Sequence, residues 1–186
     1  MKLIKILLLF CISIVGCAYS KPDFSVINPE GNAYLHNNYG LVYAEQGNYY
    51  AAVQEFKIAI DLNPSTQATA VYFNNLGDVY LKLGFSKYAA QCYNSAKTLY
   101  PLNVQYYVNL AKAYKAQGIL QSKTNYYSKN NKDVLNNILL GFMYIEAGNP
   151  KRGLAVLDNF CMCEPDLLIT SGVKYYMKQL RMGIYE

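Results

Sequence analysis

A six-residue phrase recurs along the chain and constrains its fold more than any other feature. Asn38-Tyr39-Gly40-Leu41-Val42-Tyr43 returns as Asn75-Leu76-Gly77-Asp78-Val79-Tyr80 and again as Asn109-Leu110-Ala111-Lys112-Ala113-Tyr114. Leu139-Leu140-Gly141-Phe142-Met143-Tyr144 is a weaker copy. A glycine stands four residues after each closing tyrosine, at Gly47, Gly84, Gly118 and Gly148. Prolines close three of the units, at Pro64, Pro101 and Pro165. With units starting at Ala33, Ala70, Val104 and Val134, the spacings are 37, 34 and 30 residues. Self-similarity at such a period marks an array of stacked units, none of which can bury its own apolar face alone.

The residues inside the units are specific. The first reads Tyr39, Gly40, Tyr43, Gly47, Tyr49, Ala52, Phe56, Ala59, Pro64, and the second Phe73, Leu76, Gly77, Tyr80, Gly84, Ala89, Tyr93, Ala96, Pro101. This pattern resembles the tetratricopeptide-repeat family, whose period is about 34 residues. The resemblance spans 33–165. The third unit departs from it after Gly118, with Lys123 and Asn130 in small-residue slots and no closing proline; in the fourth, Gly153 and Phe160 replace alanines. The resemblance implies an all-α fold, a right-handed superhelix of about four helix hairpins plus a C-terminal capping helix. Small residues (Gly40, Gly77, Ala111, Gly141, Ala52, Ala89) are expected where helices approach closely. Large ones (Tyr43, Tyr80, Tyr114, Phe56, Tyr93) are expected to fill gaps between neighbouring hairpins. The four glycines after the tyrosines suit the left-handed residue that ends a helix. Asn149-Pro150 reads as a cap followed by proline at the first helical position.

Beyond the repeats, Val173, Tyr176, Met177, Leu180 and Ile184 recur at helical spacing, predicting a final amphipathic helix within 166–186. Lys174, Lys178 and Arg181 fall on another of its faces. A solvating cap over the last hairpin is the expected role. The Asn- and Lys-rich stretch 122–131 reads as a shortened helix or a loop, and 21–32, with Pro22, Pro29 and Gly31, as a tether.

Residues 1–20 read as an export signal: basic Lys2 and Lys5, an apolar run from Ile6 to Val15, then Gly16, Cys17, Ala18 and Ser20. The run is shorter than the roughly 20 residues a membrane-spanning helix needs. Ile14-Val15-Gly16-Cys17 resembles a bacterial lipobox, with cleavage before Cys17 and lipid on its thiol. Ala18-Tyr19-Ser20 offers a second cleavage site, releasing a soluble chain from Lys21. The lipid-anchored reading is favoured, placing the protein at a membrane surface of the cell envelope. A periplasmic or secreted soluble protein is the alternative.

The formal charge of +5 falls to +3, with 15 basic and 12 acidic residues, once Lys2 and Lys5 are removed. That balance does not suggest nucleic acid as a partner. One histidine, His36, leaves no His-based metal or acid–base cluster, and its slot reads as a packing position. Phosphate-loop, G-x-S-x-G and dinucleotide signatures are missing from the sequence, so neither a catalytic residue, a metal nor a cofactor is expected. Cys11 lies in the signal; Cys92, Cys161 and Cys163 are expected as free thiols, with a disulfide or a soft-metal site as alternatives.

In the family, the first helices line a concave groove that holds extended peptides or partner helices. Transferred residue by residue, the resemblance puts Asn38, Leu41, Asn75, Asp78, Lys82, Asn109, Lys112 and Lys115 in that groove, with Asn37, Asn74 and Val108 on the same face. Asn38, Asn75 and Asn109 form a column that either contacts a guest backbone or serves the scaffold. Asn37 stands where a clamp for a peptide C-terminus would carry Lys, so chaperone-tail binding is not expected. Leu135, Ile138, Leu139, Phe142 and Ile145 of the fourth unit divide between core and a patch suited to a partner helix. The implied function is a non-catalytic interaction scaffold in pilus, secretion or outer-membrane assembly. Recruitment of a cell-wall enzyme and action as a secreted effector are the alternatives.

Overall fold

The computed structural model describes residues 28–130 and 133–183. Among them are nine α-helices and no strand: α1 Pro29–Glu45, α2 Tyr49–Leu62, α3 Gln67–Lys82, α4 Ser86–Leu99, α5 Val104–Ala116, α6 Leu120–Lys129, α7 Asn136–Glu146, α8 Pro150–Cys163 and α9 Leu168–Arg181. They pair as hairpins α1/α2, α3/α4, α5/α6 and α7/α8, stacked in chain order as an all-helical repeat superhelix, with α9 last. The signal segment and Cys17 lie outside the described residues.

Local chemistry sets each boundary. Asn28 caps α1, its Oδ1 accepting from Gly31 N at 2.9 Å, and Pro29 fills the first helical position. The helix thus begins inside the stretch 21–32 read as a tether. Thr66 and Thr69 cap α3 reciprocally, each hydroxyl accepting from the other's backbone N–H. Asn149 and Pro150 open α8 as the sequence suggests, with Asn149 Oδ1 accepting from Arg152 N.

The tyrosine–glycine spacing has one physical cause. Gly47, Gly84, Gly118 and Gly148 all have φ between +76° and +80°. At each, the residue after the glycine donates to the tyrosine carbonyl five residues back: Asn48 to Tyr43, Phe85 to Tyr80, Ile119 to Tyr114, Asn149 to Tyr144. The glycine N–H donates three residues back, to Ala44, Leu81, Lys115 and Ile145 respectively. These are Schellman C-caps, which satisfy carbonyls the helix leaves unpaired.

Inside the hairpins the crossings are tight. A Cβ on Gly40 would lie 2.6 Å from the Phe56 ring, and one on Gly77 2.7 Å from the Tyr93 ring. In the fourth hairpin two glycines meet: a Cβ on Gly153 would stand 2.6 Å from the Gly141 carbonyl oxygen. Phe56 and Tyr93 are fully buried, each worth roughly 1.5–3 kcal/mol of apolar transfer. The buried side chains form a row of clusters along the stack, as a quasi-one-dimensional array requires.

Three expectations need correction. Tyr43 is exposed instead of filling an inter-hairpin gap, because it lies on the open side of the first hairpin. His36 is not merely packed: its Nδ1 lies 2.6 Å from Glu55 Oε2. The third hairpin is splayed. Only Leu120 and Thr124 of α6 are buried, and α7 packs along α5 where α6 would otherwise lie. Lys123 explains part of this, reaching its ammonium over the Tyr114 ring at 5.4 Å where a small residue would permit close contact. Of the stretch 122–131, residues 122–129 belong to the short α6, and Asn131 lies outside the described residues. Cys92, Cys161 and Cys163 are free, the first two buried, and burial pushes the Cys92 thiol up to about 12.

Gly40→Ala gains about 1 kcal/mol of helix propensity, but overpacking at Phe56 costs about 1–3 kcal/mol. Urea unfolding should show a net loss, partly restored in Gly40→Ala/Phe56→Leu. Gly47→Ala has open space around it and loses about 1–2 kcal/mol through φ alone. Phe56→Leu should leave that loss unchanged; relief there too would contradict the assignment of steric strain to position 40.

Candidate functional site: the concave wall

The first helices of the hairpins, α1, α3, α5 and α7, carry the face that the resemblance assigns to the inner wall. On α1 that face carries Tyr34, Asn38, Leu41 and Glu45, spaced one turn apart. The same slots hold Val71, Asn75, Asp78 and Lys82 on α3 and Gln105, Asn109 and Lys112 on α5. On α7 they hold Leu135, Leu139, Phe142 and Glu146.

The two halves of the wall differ. Tyr34, Leu41, Val71, Asp78 and Lys82 are exposed, and Asn38 and Asn75 half-buried. Farther along, Val108, Ile138, Leu139 and Phe142 are buried, and Leu135 and Ile145 are half-buried. Helix α9 is what covers this end. The Tyr176 ring meets Phe142 edge-on at 6.0 Å, and its hydroxyl donates to Gln105 Oε1. The backbone of α9 at Gly172 approaches Val104, while Ile169, Val173 and Met177 join the same buried cluster as Val108 and Ile138. Of the fourth-unit residues that sequence reasoning divided between core and a patch for a partner helix, Ile138, Leu139 and Phe142 are thus buried, Phe142 against a helix of this chain, and Leu135 and Ile145 are half-buried. Arg181 fastens the end of α9 to both carboxylate oxygens of Asp158, at 2.9 and 2.7 Å.

The asparagines link hairpins to one another. Asn75 Nδ2 donates to Asn37 Oδ1 at 2.9 Å, and Asn109 Nδ2 donates to Asn74 Oδ1 at 2.9 Å. Asn109 also donates to Asp78 Oδ1 at 3.4 Å, and its Oδ1 accepts from Gln105 Nε2 at 2.6 Å. The buried Asn109 amide is therefore engaged on both sides within the scaffold, and Asn75 pairs through its amino group. The predicted column straddles the wall: Asn38 and Asn75 border solvent and Asn109 does not.

Asp78 is the hub. Its carboxylate accepts from Tyr93 Oη at 2.6 Å and Asn74 Nδ2 at 3.2 Å, besides Asn109. Asp78 is exposed as a residue, but its carboxyl oxygens are turned toward Tyr93, Asn74 and Asn109, and loss of water there raises the carboxyl above the ordinary carboxylate range, opposed by the Tyr93 and Asn74 hydrogen bonds and by Lys112 and Lys82. Lys115 pairs with Glu146 Oε2 at 3.2 Å, bridging the third unit to the fourth. Sequence reasoning missed Tyr34 and Val71, although each lies one helical turn before the flagged Asn38 or Asn75. Among the described residues no three His, Cys, Asp or Glu side chains gather as a metal-binding group. No helix there is long and apolar enough to cross a membrane.

The sequence profile of the tetratricopeptide repeat matches residues 33–66. A tetratricopeptide repeat protein from Parabacteroides merdae ATCC 43184 superposes with a TM-score of 0.50 at 17% identity, over 82% of this chain and 61% of that one. The Arabidopsis OM64 TPR domain gives 0.47 at 15% identity, over 81% of this chain and 98% of that one. The second TPR domain of human RPAP3, solved with the HSP70 peptide SGPTIEEVD, gives 0.48 at 14% identity, over 81% and 98%. No curated protein matches the chain.

Because the folded carboxyl of Asp78 titrates above its unfolded value, native protein binds more protons there, and stability falls as pH rises through the folded value. Asp78→Asn removes that loss. The urea midpoint of Asp78→Asn relative to the parent should therefore climb between pH 4 and pH 7. A constant difference would contradict the assigned direction.

Proposed function

From the premise that the chain belongs to the tetratricopeptide-repeat proteins, with an all-helical repeat superhelix as its fold, we propose a non-catalytic scaffold. It holds a peptide segment or a helix of another protein against the inner wall of its first two hairpins. One observation carries this reading. Apolar Tyr34, Leu41 and Val71 stand exposed there among Asn38, Asn75, Asp78 and Lys82, while in the equivalent slots farther along Gln105 and Phe142 are in contact with Tyr176 of α9. Apolar side chains interleaved with amides and charges suit a guest that buries a few anchors and pairs its backbone at the edges. Lys82, exposed beside Asp78, favours a guest carboxylate near the middle of the wall. Asn109 and Lys115 act chiefly in holding the wall together.

A photo-crosslinking residue at Leu41 or Val71 should capture a discrete protein from the cell envelope. The same residue at Ile58, exposed on α2, should not. Equal adducts from all three positions would remove the groove from the proposal.

The setting we propose is the cell envelope, with a lipid on Cys17 following cleavage after Gly16. The sequence Ile14-Val15-Gly16-Cys17 supports this. Assembly of envelope structures is the role that setting favours; recruitment of a cell-wall enzyme would use the same groove. Mass spectrometry of the mature protein should find an acylated Cys17 at the N-terminus. An unmodified start at Lys21 would replace anchoring with a soluble exported protein.

A further inference from the structure

The two ends of the stack are finished differently. At the C-terminal end α9 lies over the last hairpin, with exposed Lys174, Lys178 and Arg181 interspersed among exposed Leu168 and Tyr175. At the N-terminal end α1 buries only Ala33, Asn37 and Gly40, spaced on one stripe. At 100° per residue, Leu35, Tyr39 and Val42 fall on the side opposite that stripe, with Tyr43 at its flank. All are exposed, Leu35 at 44%, Tyr39 at 47% and Val42 at 49%. The carboxylates of α1, Glu30 and Glu45, fall on other faces, and His36, at the flank, is paired with Glu55. Terminal repeats need an outer face that water tolerates. This end instead offers aliphatic and tyrosine side chains.

We propose that this face of α1 rests on the lipid surface to which the chain is anchored, so that the scaffold stands end-on with its groove projecting away. The inference depends on the lipid reading of Cys17. The cap Asn28 lies eleven positions after Cys17. Even fully extended, that segment spans no more than about 36–40 Å. The anchor thus keeps the start of α1 within that distance of the bilayer. A docking contact made under such a tether is intramolecular in effect, so a small patch suffices. Tyrosine suits the position, since its ring enters the headgroup layer while its hydroxyl stays hydrated. An uncharged face fits that layer without demanding a particular headgroup charge.

The sequence contains no tryptophan, which makes a single introduced one an unambiguous reporter. The full chain carrying Tyr39→Trp is reconstituted in phosphatidylcholine vesicles with brominated acyl chains, beside Tyr126→Trp as a control on exposed α6. Vesicle flotation is read in parallel. Bromolipid should quench the fluorescence of Tyr39→Trp and leave that of Tyr126→Trp unchanged. Adding Leu35→Glu and Val42→Glu, both at exposed positions, should abolish the quenching without stopping flotation. Flotation with the indole at position 39 as bright as that at position 126 overturns the docking inference and leaves anchoring intact. Failure to float removes the anchor and the inference together. Concentration-dependent shielding of the indole at position 39 without lipid would assign the face to a second copy of the chain and overturn the lipid assignment.

Discussion

The close approach of glycine to an opposing side chain inside a hairpin governs the rest of the structure. Gly40 against Phe56 and Gly77 against Tyr93 bring the two helices of each unit so near that a single added methyl group has no space. That distance fixes the rotation of each helix about its axis. The rotation decides which residues face the next hairpin and which face the inner wall. The third unit shows the consequence of losing it. Ala111 takes the glycine slot and α6 brings Lys123, which cannot interdigitate there. The pair opens, and α7 moves onto α5. The splayed hairpin and the buried second half of the wall go together: α9 reaches across to α5 at Val104 and Gln105.

Much of this was legible in the sequence because its causes are local. The tyrosine-to-glycine interval encodes a Schellman cap, a device confined to six residues. The glycine positions encode a close approach within one hairpin, but Phe56 and Tyr93, expected between hairpins, are the rings that fill it. The turns inside the hairpins follow from the caps, whereas the Asn- and Lys-rich stretch 122–131 leaves a shortened helix and a loop both open. The inner wall was legible only in outline. An asparagine pairs equally well with a guest backbone, with water or with another asparagine, so residue type alone does not choose. The choice turned on register: Asn37 and Asn74, one residue before the flagged Asn38 and Asn75, point to the following hairpin. The place of α9 over α5 and α7 joins residues 71 positions apart, Gln105 and Tyr176, and no periodicity reports such a contact.

The polar chain across the wall has a direction, and Asp78 sets it. A carboxylate only accepts, so every group facing it must turn a donor inward. Asn109 does so through Nδ2, leaving Oδ1 to accept, and Gln105 supplies the donor through Nε2. Gln105 then has only Oε1 to offer, and Tyr176 donates to it. One acceptor-only group thus orients two amides and a phenol over three helices. Buried polar networks are favourable only when each member is satisfied, and such a chain resists partial rearrangement, because turning one amide unpairs its neighbours. The partly desolvated carboxyl is the cost of that order, seen in its upward shift. In return α9 is held by a geometry that apolar contact alone would not specify, and the open half of the wall ends at a defined place.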